Sequence, residues 1–390
     1  MASQLSRGAR TAVIAMAVIF AFPMLLMPWS DDRARTAWEK RPLTEFSQVI
    51  DAVGSAGFFP TLDDYFDDHV FAALEAARIY RKVQFLWFDE SPQPNIAIAD
   101  DGFVFLTSHG VNRPFGSLER LCTPAERHPG EIHEGLQRLA EELAERDVRL
   151  SVAVVPSKLS LYADRLPATV PQELREACDR TVPERTVAAR LLERQETARY
   201  LMLYPFEALY ALRDTPQFYP PQNFHADSRV NHEYALLYFE SRGLQPPPGY
   251  TSAPTLVAAH ADLRSMGFLR NTQVWRYGYQ GEAFAPDRDQ PDWLSEHSIA
   301  PRGYRHFTND AMQTGRTLMV SDSFGAYLAP HFAPAYVSLT QLNIKHFSED
   351  VAQRDALLHA ALQATEAEEL IILLHDVGLP NPIFRNFIGY

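Results

Sequence analysis

The hydrophobic pattern of this chain changes period several times, and each period predicts a different element. The first run, TAVIAMAVIFAFPMLLMPW from Thr11 to Trp29, carries no charge. It approaches the roughly 20 residues needed to span a bilayer. Arg7 and Arg10 precede it, which predicts a cytoplasmic N-terminus and an exported remainder. The run is long for the core of a signal peptide and no clean A-x-A site follows. An uncleaved transmembrane anchor over residues 1–30 is therefore expected, with a cleaved signal peptide as the alternative. A charged linker over 31–41 follows, and then one domain over 42–390.

Within that domain, TEFSQVIDAVGS and LDDYFDDHVFAALEAARIYRKVQF repeat apolar residues at three and four, which predicts helices. NIAIADDGFVFLT places two apolar runs around Asp100-Asp101-Gly102 and reads as a hairpin. Strand–helix alternation then sets in. EIHEGLQRLAEELAERD, TVAARLLERQETA, PFEALYALR, NHEYALLYFESRG, FGAYLAPHF and SEDVAQRDALLHAALQAT read as helices. RLSVAVVP, YLMLYP, TLMVS, AYVSLTQL and ELIILLHD read as strands, and the Val and Ala run of the first suggests burial on both faces. Repeated βα units predict an α/β fold: an open, mostly parallel sheet with helices on both faces. QPPPGYTSAP reads as an irregular connection within the domain.

Composition narrows the partners. Of 390 residues, 46% are hydrophobic and 22% charged, enough to build a core. The net charge of −13 and the lack of a Lys- or Arg-rich run argue against a nucleic-acid partner. With two cysteines and scattered histidines, no metal-ligand spacing appears. Cys122 and Cys178 both lie in polar surroundings; the sequence leaves open one disulfide or two unrelated thiols.

Candidate chemistry centres on Ser321-Asp322-Ser323-Phe324, directly after the strand TLMV. Ser323 reads either as a helix cap or as a nucleophile at the carboxyl edge of the sheet, where reactive groups gather in open α/β folds. In the second reading it needs a histidine base held by a third group. In FYPPQNFHADSRVNHEY, His225 sits in a polar loop with Asn223 two residues before it and Asp227 two after. Residues two apart in extended chain share a side, so Asn223 would orient the His225 ring; a solvated surface histidine is the bland alternative. His232, His331 and His346 read as packing or capping residues, and Asp322 as a helix cap. Ser157-Lys158 reads as positional, Asn343 as structural, and Tyr327, Arg302 and Arg305 as groove-lining or packing residues.

Several stretches together resemble a known family. SDSF is similar to the G-D-S-F or G-T-S-F block of the SGNH hydrolase-like domain in alginate O-acetyltransferases of the AlgJ/AlgX type. EKRPLTEF resembles that family's E-N-R-x-L opening, FDDHVFAALEAARIYRKVQF its D-H-F-x-x-R helix, and DDGFVFL its K-D-G-W-L-F. VAVVPSKLSLYADRLP resembles its V-P-x-K-x-x-x-Y-x-x-x-L-P, and GYRHFTND precedes the serine block in the expected order. The resemblance runs from about Glu39 to the C-terminus, and is closer to the membrane-anchored AlgJ type because no carbohydrate-binding module follows.

The resemblance implies an SGNH-hydrolase-like fold and a triad of serine with a D-x-H pair. Ser323 and His225 fall on the serine and histidine; Asn223 falls on the acid, Ala226 on a tryptophan and Ser321 on a glycine. An asparagine carbonyl can fix the imidazole tautomer but cannot stabilise imidazolium by charge. Asp227 is the candidate substitute acid, and the backbone amides of Ser323 and Phe324 are the expected oxyanion donors. The resemblance further implies a single-pass inner-membrane protein with a periplasmic O-acetyltransferase domain, without a cofactor. Its acceptor would be a polysaccharide, and its acetyl supplier a membrane-bound O-acyltransferase. A carbohydrate acetylesterase and a non-catalytic polysaccharide-binding or scaffold protein are the alternatives, the last because of Asn223.

Overall fold

The computed structural model describes Asp32, Thr36 and residues 42–389, apart from 70–72, 89, 92, 109–112, 125–127, 180–185, 228, 246–249, 251–252, 263–270, 278, 280–290, 292, 295–298, 300–302, 310–314 and 348–349. The expected anchor, Thr11 to Trp29, lies outside the described residues. Among the described residues no helix is long and apolar enough to cross a membrane.

The chain divides into two compact units, with the break in the main chain between Pro92 and Gln93. The sequence reading joined both into one domain from residue 42. The smaller unit contains helices Phe46–Asp51, Phe58–His69 and Ala73–Phe88. Asp68 and His69 tie its helical layer to the entering chain: Thr44 N–H donates to Asp68 Oδ2 at 2.7 Å, and His69 Nε2 bonds the Thr44 carbonyl at 2.9 Å.

The larger unit opens with the expected hairpin, β1 (Ile96–Ile98) and β2 (Val104–Leu106), paired antiparallel. Its centre is a six-stranded sheet built from β3 (Arg149–Val155), β4 (Leu201–Leu203), β7 (Tyr304–Thr308), β8 (Arg316–Ser321), β9 (Ser338–Asn343) and β10 (Glu369–His375). The strand order is β4-β3-β10-β8-β9-β7. All neighbours are parallel except β7, which runs antiparallel to β9 at the edge. A further antiparallel pair, β5 (Thr255–His260) with β6 (Asn271–Arg276), was not foreseen, nor was β7.

The central strands follow from their residues. Every residue of β10 is buried, and all of β8 and β3 except the first, as continuous apolar runs in a parallel sheet require. Helix His128–Ala144 packs on β3, helix Gly325–Phe332 on β8 and β9, and helix Val351–Thr365 on β8. The result is a mixed α/β unit with a mostly parallel central sheet.

Parallel register aligns the carboxyl ends of three adjacent strands. His375 pairs with Val155 and Leu373 with Ser321. Residues just past these positions therefore share one edge of the sheet: Ser157 and Lys158 after β3, His375 and Asp376 at the end of β10, Asp322 and Ser323 after β8.

Helix Gly116–Cys122 is joined to the region after helix Gln172–Ala177 by a disulfide between Cys122 and Cys178, with a Cα separation of 5.1 Å. This closes a loop of 56 residues, a constraint worth about 4 kcal/mol by loop-closure entropy.

Candidate active site

Ser323 stands in the turn between β8 and helix Gly325–Phe332. That turn is tight because of Gly325: a Cβ there would lie 1.9 Å from Ser321 Oγ, so only glycine lets the helix start so close to the strand end. Ser321 is itself held by Gln341, whose Nε2 donates to its hydroxyl at 3.0 Å.

His225 reaches Ser323 from the loop that precedes helix Arg229–Ser241. Its Nε2 lies 2.8 Å from Ser323 Oγ. Its Nδ1 lies 2.7 Å from Asp262 Oδ2. The Asp262 carboxylate also accepts the backbone N–H of Phe224 at 2.8 Å and of His225 at 2.7 Å. Two main-chain donors and the ring thus converge on the Asp262 carboxylate. The imidazole is 18% exposed and the carboxylate 9%, so the pair is screened from bulk water yet open to a ligand at the serine. Serine, base and orienting acid form the geometry that activates a hydroxyl nucleophile.

The loop carrying His225 is clamped on several sides. Lys158, fully buried at the start of a short helix after β3, directs Nζ at the carbonyls of Val104, Pro220, Pro221 and Asn223, at 3.1, 3.0, 2.6 and 3.0 Å. Burial pushes its pKa down to about 7, against the opposing pull of Asp262 and Asp101; four carbonyl acceptors call for the ammonium form. Tyr219 donates to the Phe224 carbonyl at 2.7 Å, and Asn231 to that of Ala226 at 2.9 Å. Tyr327 stacks on the His225 ring at 4.6 Å and 18°.

The expected partners of His225 fare differently. Asn223 does not meet the ring: its Oδ1 accepts the Asp262 backbone N–H at 3.2 Å, so it steadies the residue that does. Asp227 is turned away and paired with Arg276 at 2.9 Å. Both expectations assumed an extended segment around His225, whereas the chain there is held in bends by Lys158 and Tyr219. Asp262, two residues beyond β5, supplies the acid instead. Its only trace in the sequence is a repeated triplet, His-Ala-Asp, at 225–227 and at 260–262. The site takes its histidine from the first and its aspartate from the second.

Asp322 does meet the start of the helix, since its Oδ1 accepts the Phe324 N–H at 2.8 Å. This removes Phe324 N–H from the expected oxyanion donors, because it is already occupied. The other oxygen, Oδ2, accepts the His375 N–H at 3.0 Å and lies 2.5 Å from His375 Nδ1. Burial pushes the Asp322 carboxyl up, but the His375 ring and these amides outweigh it and hold it below the usual range. Ser323 and this second Asp–His pair line one cavity of about 300 Å³, together with Arg120, Lys345 and Asn381.

Other candidates are structural. Ser157 caps its short helix by accepting from Ser160 N–H, and Asn343 Oδ1 accepts the Lys345 N–H at 3.0 Å. Arg305 donates to the Ala326 carbonyl at 2.6 Å; Arg302 lies outside the described residues. His232 and His331 flank the Tyr279 hydroxyl, at 2.9 and 2.6 Å, in a buried aromatic cluster. Burial pushes His232 down to about 4, and it also holds His331 well below the usual imidazole range.

No family model matches the chain, and no curated protein matches it in sequence. Solved structures do. PatB1 of Bacillus cereus, determined with a sulfonyl adduct, is 15% identical with a TM-score of 0.51, covering 74% of this chain and 97% of that one. A DHHW family protein from Eubacterium siraeum is 13% identical with a TM-score of 0.47, covering 67% and 88%. The O-acetyltransferase domain of Pseudomonas putida AlgJ is 12% identical with a TM-score of 0.40, covering 76% and 99%. At such identities the likeness is one of fold: this chain shares with PatB1 an α/β architecture around a mostly parallel sheet.

Proposed function

We propose that this protein is a serine O-acetyltransferase that moves an acetyl group through a Ser323 acyl-enzyme onto hydroxyls of an exported polysaccharide. The observation that carries this reading is the relay Ser323–His225–Asp262, with successive distances of 2.8 and 2.7 Å. The missing acid was the reason to entertain a non-catalytic protein, and Asp262 supplies that acid. The sequence blocks that resemble those of the alginate O-acetyltransferases narrow acyl transfer to acetyl transfer, while the likeness to PatB1 supports the α/β fold alone.

Ser323 Oγ attacks the acetyl carbonyl of the donor while its proton passes to His225 Nε2. Asp262 accepts the Nδ1–H and stabilises the imidazolium. His225 returns the proton to the leaving group, which departs and leaves acetyl-Ser323. An acceptor hydroxyl then gives its proton to His225 Nε2 and bonds the acetyl carbon. The ester bond to Ser323 breaks, and Oγ takes the proton back.

The disulfide and the apolar Thr11–Trp29 run favour a periplasmic site anchored in the inner membrane. A membrane-bound O-acyltransferase would be the acetyl supplier there.

Incubation with a chromogenic acetyl ester should give a burst and an acetyl adduct on Ser323 by mass, both abolished in Ser323→Ala. A sulfonyl fluoride should label the same serine. Equal turnover in wild type and variant would remove Ser323 from the mechanism. Added oligosaccharide should collect the acetyl group; release as acetate alone would instead make the protein an acetylesterase.

A further inference from the structure

Among the described residues three aromatic rings meet the imidazole of His225, and one of them lies flat on it. Tyr327 stacks on the ring with 4.6 Å between centroids and 18° between planes. Phe224 and Phe324 meet it at 4.9 and 5.1 Å, but inclined by 69° and 57°. Tyr327 stands in the first turn of helix Gly325–Phe332, just after the serine. One short segment therefore grips the histidine twice, at Nε2 through the Ser323 hydroxyl and on its face through the tyrosine. The segment is also fixed against the loop that carries the base. Asn231, fully buried, donates from Nδ2 to the Ala226 carbonyl at 2.9 Å and reaches the Tyr327 carbonyl at 3.4 Å. Arg305 holds the Ala326 carbonyl at 2.6 Å.

Burial, helped by the Asp262 and Asp227 carboxylates, pushes the Tyr327 phenol up to about 12, so the ring over His225 is a neutral one. The face of such a ring carries partial negative charge and attracts a cation lying over it. In the acyl transfer proposed above, His225 accepts the Ser323 proton at Nε2. It is positively charged only until the leaving group receives that proton. Asp262 meets this charge in the plane of the ring, 2.7 Å from Nδ1. Tyr327 meets it from the perpendicular direction. A contact that strengthens as charge appears lowers the barrier, whereas one of constant strength only holds the ground state.

We infer that Tyr327 is a positioning residue of this site, its ring face stabilising the transient His225 imidazolium while Asp262 stabilises it from the edge. The tyrosine gives and takes no proton; it acts through His225 alone, in the attack by Ser323 and again when the acceptor hydroxyl is deprotonated.

This inference rests on the acyl-enzyme reading, and the test separates the two. The acylation rate of Ser323 is taken from the burst with a chromogenic acetyl ester, with KM and thermal midpoints alongside. Tyr327→Leu should slow acylation about tenfold with KM within about threefold. Tyr327→Phe, which keeps the face and loses the hydroxyl, should recover most of that loss. Phenylalanines carrying one, two and three ring fluorines at the same position withdraw negative charge from the face at nearly constant size. The rate should fall with each added fluorine while the midpoint stays put, which a ring that only packs would not produce. Should Tyr327→Leu fail to fold, the fluorinated series decides. A flat series, or Tyr327→Phe as slow as Tyr327→Leu, overturns the inference and leaves the acyl-enzyme intact. A missing burst, or turnover undiminished in Ser323→Ala, takes down both readings.

Discussion

Two aspartate–histidine pairs flank Ser323, and they differ in what the far ring nitrogen faces. Asp262–His225 points Nε2 at the serine hydroxyl at 2.8 Å; in Asp322–His375 the Nε2 is buried with no hydrogen-bond partner among the described residues. The near ends are alike, with an aspartate on Nδ1 that also accepts backbone amides. The difference arises from where each pair is mounted. His225 hangs on a loop brought across the sheet edge, so it can lean onto the turn after β8. His375 ends β10 itself, and its ring is fixed by Phe324, the residue after the nucleophile. The same two side chains therefore face the nucleophile in one place and brace the turn that carries it in the other.

Exchanging the aspartates' charges should break that contrast most sharply. Asp262→Asn is expected to lower kcat by about 10⁴-fold, the cost of losing the acid behind a catalytic histidine. Asp322→Asn should cost about 10²-fold by unseating the turn that carries Ser323, since Asp322 Oδ1 accepts the Phe324 N–H. Steady-state kinetics on an acetyl ester compares them directly, and equal losses would mean that the two pairs share one task. Asn223→Ala should fall well below either, within about tenfold, because Asn223 acts only through the Asp262 main chain. A 10⁴-fold loss there would return it to the relay.

Lys158→Met sharpens the comparison by loosening only the loop-mounted pair. Four carbonyls would lose their donor, at a cost on the order of 3 kcal/mol read by urea unfolding. Ester turnover should fall as His225 loses its bearing. An unchanged unfolding midpoint would deny Lys158 this role.

The smallest effect concerns the buried histidines His232 and His331. The unfolded His232 takes a proton near pH 6.5, the folded one only near pH 4. Between these values the unfolded chain binds more protons, so stability declines as pH falls from about 6.5 toward 4. His331, also pushed well down by burial, adds to the same slope. Thermal midpoints at pH 7.5 and 5 should fall, and less so in His232→Gln. A midpoint independent of pH in this window would count against neutral burial of both rings.

The apolar runs of β3, β8 and β10 were legible because parallel strands buried on both faces have no polar positions to obscure them. Ser323 was legible for the same reason: it follows such a run directly. His225 was singled out by its loop and by family resemblance. Strands β5 and β7 escaped notice: TLVAAH lies next to a proline-rich stretch, and YRHFT mixes charge with aromatics at a sheet edge.

The sequence by itself determined that a serine follows a buried parallel strand and precedes a helix, which left cap and nucleophile both open for Ser323. It also offered His225, in a polar loop of an α/β chain, as the candidate base. Only the tertiary structure decided the acid. Asp262 is 37 residues from His225, and no local period relates them. The side chains nearest in sequence, Asn223 and Asp227, were drawn off to the Asp262 amide and to Arg276. Periodicity reports which face of an element is buried, whereas partners across loops are set by packing that spans the whole sheet edge.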